Sequence, residues 1–117
     1  MKPLYIKRRL AIYAREVTIN LKPNSQAKFA EMIEKEVLPL LRAQRGFKDE
    51  ITFVVPGGNR ALAFSLWDQK EQAEAYNGTG YPQVLQTLAG VVEGTPQVTS
   101  YEVSNSTFHK IAAHVPA

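Results

Sequence analysis

Residues 16–21, EVTINL, alternate: Val17, Ile19 and Leu21 are apolar, while Glu16, Thr18 and Asn20 are polar. A period of two is the pattern of a strand with one buried face, and it predicts the first strand. KPNS follows, in which Asn24 or Ser25 is placed to accept a backbone N–H of the next element. Phe29, Met32, Ile33, Val37, Leu40 and Leu41 then recur at intervals of three and four, with Lys28, Glu31, Glu34 and Lys35 on the other side. This predicts an amphipathic helix from Gln26 to about Arg45. Pro39 should kink it, because proline removes one internal hydrogen bond, and Gly46 supplies a left-handed stop after Arg42 and Arg45.

Two strand-like runs come next, Phe47 to Val55 and Arg60 to Trp67, joined by the turn cluster Pro56, Gly57, Gly58 and Asn59. In the second run Leu62, Phe64 and Leu66 share one face, and Ala61, Ala63, Ser65 and Trp67 share the other. Asp68 stands at an N-cap position with Glu71 three residues on, predicting a short helix over Gln69 to Asn77. GTG interrupts it. Pro82 opens a second helical run with Val84, Leu85, Leu88, Val91 and Val92 as its apolar positions, Gly94, Thr95 and Pro96 end that run, and Gln97 to Val103 reads as a last strand.

The order strand, helix, strand, strand, helix, strand predicts an α+β fold of the ferredoxin-like βαββαβ kind, an antiparallel sheet with helices on one face. Taking Val17, Ile19, Leu62, Phe64 and Leu66 as the helix-facing set leaves Thr18, Thr52, Val54, Ala61, Ala63 and Ser65 on the open face. Small side chains there would let a second sheet approach, so dimerisation through that face is expected.

The chain has 117 residues, 44% of them apolar, enough for one core. Its parts read as a basic arm over 1–13, a domain over 14–104 and a tail over 105–117. It contains no cysteine, and its histidines are His109 and His114 alone, so thiolate chemistry is excluded and imidazole is confined to the tail. No apolar run approaches the roughly 20 residues of a membrane helix; a soluble, cytoplasmic protein with no membrane partner is expected. Net charge is +3, yet Lys2, Lys7, Arg8, Arg9 and Arg15 fall in the first fifteen residues, leaving 9 basic against 11 acidic residues beyond. That leader could touch nucleic acid or anionic lipid, or could be a solvated arm; the body offers no matching basic patch. The segment RALAFSLW overlays loosely on an RNA-recognition strand, with Arg60, Phe64 and Trp67 in place. Leu62 replaces a stacking aromatic and the first strand has none, so no nucleic-acid partner is expected.

VLPLLRAQRGF before the second strand, FSLWDQKEQAEAY at a strand-to-helix corner, and the terminal VTSYEV occur in an order and spacing that resembles the antibiotic biosynthesis monooxygenase (ABM) domain family of the dimeric α+β barrel group. The resemblance spans about Ala14 to Val103. It implies a homodimer with a pocket between helices and sheet, and oxygenation of polyketide phenols, quinol compounds or haem without a metal or flavin cofactor. Trp67 matches the strand-end tryptophan of the haem-degrading branch, but Val17, with Asn20 nearby, stands where that branch has asparagine, and Gln86 where it has the iron-ligating histidine. Haem is therefore a poor fit.

Cofactor-free oxygenation needs a dry pocket, ring stacking and either a proton acceptor or a donor to an anion. Trp67, Tyr76 and Tyr81 can stack and donate, Asn20, Gln86 and Arg60 are the polar candidates, and no base is evident. Trp67 is open to two readings, a plug at the corner or a ligand contact. Two functions follow: a monooxygenase of a small phenolic or quinol-type aromatic, or a non-catalytic dimer that binds a small molecule on the same fold.

Overall fold

Alternation along the first strand extends further back than EVTINL. In the computed structural model, which describes residues 12–107, strand β1 covers Tyr13–Leu21, and its odd-numbered side chains point to the helices. The first helical run has three parts: α1 (Gln26–Met32), a wide π turn over Ile33–Val37, and α2 (Leu38–Arg42). Strands β2 (Phe47–Val54) and β3 (Arg60–Trp67) form the hairpin, α3 (Lys70–Gly78) and α4 (Gly80–Leu88) follow, and β4 (Val92–Glu102) closes the sheet. The strand order is β2-β3-β1-β4 with every neighbouring pair antiparallel. This is the ferredoxin-like α+β plan. Phe29, Ile33, Val37, Leu41, Val84 and Leu88 bring the helices down on Val17, Ile19 and Leu21.

The long helix does break, but upstream of Pro39. Leu38 N–H donates to the Ile33 carbonyl five residues back, so the π turn absorbs the strain and Pro39 sits in the first turn of α2, where no internal donor is required. Ser25 is the N-cap residue without a side-chain bond to the helix; the Phe29 N–H meets the Ser25 carbonyl instead. Gly46 terminates the run at φ +82° as expected.

Three sequence expectations are corrected. The cap of α3 is Gln69, whose N–H donates to the side chain of Gln72 at 3.1 Å, and not Asp68 with Glu71. Asp68 instead pairs with Lys48 across 3.3 Å. Second, Val91 follows α4 and Val92 opens β4, so Gly94, Thr95 and Pro96 lie inside the last strand. There β1 and β4 slip register between Thr18 and Asn20, and Gly94 takes φ +70°. An edge strand tolerates this, since among the described residues one side of its backbone has no strand partner, and a bulge with proline costs it little.

Third, β3 is turned over relative to the expectation. Ala63 pairs with Val17, Ala61 with Ile19 and Ser65 with Arg15, and directly paired residues share a face. Ala61, Ala63, Ser65 and Trp67 therefore face the helices, as do Thr52 and Val54 of β2, which pair with Ala63 and Ala61. Leu62, Phe64 and Leu66 point to the open side. Both faces of β3 are apolar, so alternation could not choose between them; the packing of Trp67 does. The open face is consequently greasier than expected, with Ile51 43%, Phe53 49% and Tyr101 45% exposed and Phe53 edge-on to Phe64 at 5.9 Å.

Most of the basic arm 1–13 and most of the tail 105–117, including His109 and His114, lie outside the described residues. No helix among the described residues is long and apolar enough to cross a membrane.

Candidate functional site

Small residues on the helix side of β3 leave space. Above Ala63 and Ser65, beneath α4 and the π turn, lies a cavity of about 290 Å³, close to the lower limit of small-molecule sites, roughly 300–1,000 Å³. Val17, Ile19, Val37, Leu41, Val84 and Leu88 make most of it apolar. The β4 bulge brings Gly94, Thr95 and Pro96 to one side.

Its polar part is built from three adjacent strands. Arg15 on β1 pairs with Ser65 on β3, which pairs with Glu50 on β2, so the three form one row across the cavity floor. Strand spacing puts the backbones of Arg15 and Glu50 about 10 Å apart. Over this row stand Tyr76 of α3 and Tyr81 of α4. The Arg15 guanidinium carbon is 4.1 Å from the Tyr81 ring centroid and 5.1 Å from that of Tyr76, and Arg15 Nη2 donates to the Asn77 amide oxygen. A Cβ on Gly80 would come within 2.8 Å of the Tyr76 ring, so glycine there admits that ring to the site.

Burial tunes these groups. It lowers the Arg15 guanidinium from its ordinary value, with Tyr76 and Tyr81 opposing. Burial raises the Glu50 carboxyl, opposed by the hydrogen bond that the Thr52 hydroxyl donates to it. The Tyr76 hydroxyl is pushed up to about 12 by burial, against the pull of Arg15. Tyr81 is raised for the same reason. At neutral pH the site therefore holds a cation, two un-ionised phenol donors, and a carboxyl shifted toward the protonated form. Such a set can receive a proton and stabilise an oxyanion.

Of the residues singled out from the sequence, Tyr76 and Tyr81 line this cavity and Trp67 stands behind its wall. Trp67 is fully buried, tilted against Tyr76 at 5.1 Å and edge-on to Phe47 at 5.7 Å, and its indole N–H donates to Ser65 Oγ at 2.9 Å. Asn20 and Gln86 lie outside the cavity and are exposed. Asn20 has the even parity of β1 and belongs to the opposite sheet face. Gln86 turns away because Val84, Leu85 and Leu88 occupy the inward side of α4. Arg60 is exposed at the hairpin end.

Arg15 and Glu50 are not singled out by the sequence patterns. Arg15 reads as part of the basic leader, although it shares the buried face of β1 with Val17, Ile19 and Leu21, and a charge in an apolar row is a signal. Glu50 has the parity of Thr52 and Val54, but only pairing with Ser65 places it here. Among the described residues no three or more acidic or histidine side chains converge as a metal site.

No family model and no curated protein matches the chain. Solved structures do. A protein of unknown function from Nitrosomonas europaea, NE2512, superposes with TM-score 0.71 at 19% identity over 86% of this chain and 96% of its own. The monooxygenase ActVA-Orf6 of Streptomyces coelicolor, solved with nanaomycin D, gives TM-score 0.71 at 15% identity, covering 88% and 96%. SnoaB of Streptomyces nogalater, a cofactor-independent oxygenase, gives 0.68 at 10% identity, covering 85% and 99%. The chain thus has the fold of the antibiotic biosynthesis monooxygenase structures.

Proposed function

We propose that the chain is an ABM-type, cofactor-independent monooxygenase that acts, as a cytoplasmic homodimer, on a small phenolic or quinol-type aromatic. The observation that carries this reading is the row Arg15, Ser65, Glu50 beneath Tyr76 and Tyr81 on the floor of an apolar cavity. The same fold in ActVA-Orf6 and SnoaB supports it.

In this mechanism Glu50 takes the phenolic proton, and the neutral hydroxyls of Tyr76 and Tyr81 stabilise the phenolate as charge develops. The electron-rich ring is the reductant and dioxygen the oxidant. Oxygen adds at a ring carbon bearing hydrogen, proton return gives a hydroperoxide, and loss of water across that carbon leaves a quinone. One substrate and one dioxygen thus yield one quinone and one water. Apolar walls keep bulk water from the phenolate.

Oxygen uptake with a panel of naphthols and hydroquinones tests the reaction. One dioxygen consumed per quinone formed, at a rate proportional to protein, is expected. Ligand-induced melting shifts without uptake would replace it with the binding-only function.

The dimer rests on the open sheet face, where Ile51, Phe53, Phe64 and Tyr101 would be covered by their symmetry mates. Placing aspartate at Phe53 puts two charges into one symmetric interface, and the dissociation constant is expected to rise about 100-fold or more. Sedimentation velocity should show the native chain at twice its single-chain mass and Phe53→Asp largely at that mass. A native chain already monomeric at micromolar concentration would remove the dimer from the proposal.

A further inference from the structure

Arg15 is only 3% exposed and lines the cavity, yet no aspartate or glutamate among the described residues forms an ion pair with it. Residues 1–11 and 108–117 contain no acidic side chain either. Its described partners are neutral: the Asn77 amide oxygen, the Tyr81 hydroxyl and the faces of two rings. A guanidinium has five N–H donors, and a planar fork suited to a carboxylate. Withdrawing such a charge from water without an anion is unfavourable by several kcal/mol, so a fold keeps it only where something else requires it. Ring faces and two neutral acceptors offset part of this and supply no negative charge.

Glu50 lies two strands away along the same row, with Ser65 between them, and most of the remaining wall is apolar. An anion next to Glu50 would be repelled by its ionised form. An anion at the Arg15 end would be separated from that repulsion by the width of the row.

Resting on the small-molecule reading above, we infer that the ligand is an aromatic acid: its carboxylate is held by Arg15 at one end of the row, and its ring hydroxyl meets Glu50 at the other. The substrate class narrows from phenols in general to hydroxyaryl carboxylates with the two groups at opposite ends of the ring system. Arg15 then works as an anchor before any reaction, and the charge that develops at the ring hydroxyl is met by the tyrosine hydroxyls.

The probes are 6-hydroxy-2-naphthoic acid, its methyl ester and 2-naphthol, titrated calorimetrically into the native protein, Arg15→Gln and Arg15→Lys. The acid is expected to bind the native protein at least about ten-fold more tightly than the ester, consistent with the worth of a charge-assisted pair. Arg15→Gln should remove that preference and leave ester and naphthol affinities within about two-fold; Arg15→Lys should keep part of it. Arg15→Met in the ligand-free protein should melt several degrees higher, because a buried unpaired charge has gone.

Equal binding of acid and ester, an equal loss of both in Arg15→Gln, or no binding of the acid overturns the inference. If the glutamine variant does not fold, the acid-to-ester ratio in the native protein still decides. Uptake of oxygen with 2-naphthol alongside acid and ester of equal affinity would leave the oxygenase standing and remove the anchor. Arg15-dependent acid binding without oxygen uptake would do the reverse.

Discussion

Substituting alanine for Trp67 is expected to destabilise the protein by about 3–5 kcal/mol, the usual result of emptying a large buried aromatic site. A domain of this size has only about 5–15 kcal/mol in total, so much of the population would be unfolded at physiological temperature. The reason is local: Trp67 has no solvent exposure and joins Phe47 of β2 to Tyr76 of α3, closing one end of the helix layer over the sheet. Trp67→Phe keeps much of the volume but loses the N–H that donates to Ser65, and should lose about 1–2 kcal/mol. Urea unfolding followed by circular dichroism measures both, because the only tryptophan is the residue removed. A loss below about 1 kcal/mol in the alanine variant, with ligand affinity abolished, would mean that Trp67 faces the ligand and does not plug the corner.

Glu50→Gln carries the second large effect, a fall of about 10²–10⁴ in the oxygenation rate, the range for removing a positioned base. Its pH behaviour separates a base from a merely structural carboxyl. Burial raises Glu50 above its ordinary 4.5, so the folded state holds this proton more tightly than the unfolded chain does. The stability it contributes is full below 4.5 and is lost as pH rises through the folded value. Activity must move the other way, rising through the same window as the carboxylate forms. The glutamine variant should flatten both slopes and, at neutral pH, be as stable as the native protein or more so. An unchanged pH-rate profile in Glu50→Gln would assign the proton to another group.

Tyr76 and Tyr81 could be picked out from the sequence because aromatics close to a strand-to-helix corner are few and the corner itself is well marked. Trp67 marks that corner too, but a residue at a seam faces inward or outward according to what packs on it, which no spacing reports. Arg15 was concealed by Lys7, Arg8 and Arg9, neighbours that made it one more basic residue of a leader. Glu50 was concealed for a different reason: acidic residues in a hairpin strand are ordinary, and its distinction comes wholly from lying opposite Ser65 and Arg15. Gln86 stands at a position singled out by the family resemblance and Asn20 only near one, and helix phase and strand parity turn both away from the cavity.

Element order, the hairpin at Pro56 to Asn59, the stop at Gly46 and hence the ferredoxin-like plan were determined by the sequence alone. Periodicity, glycine and proline act within a few residues of themselves, so they can be read without knowing what lies across the fold. The facing of β3, the early start of β4 and the placing of Arg15 and Glu50 in one row were decided only by tertiary structure. Each depends on residues far apart in the chain. Where both faces of a strand are apolar, the choice of face falls to whichever long-range contact buries more, and here that contact is the indole of Trp67 against Tyr76 and Phe47.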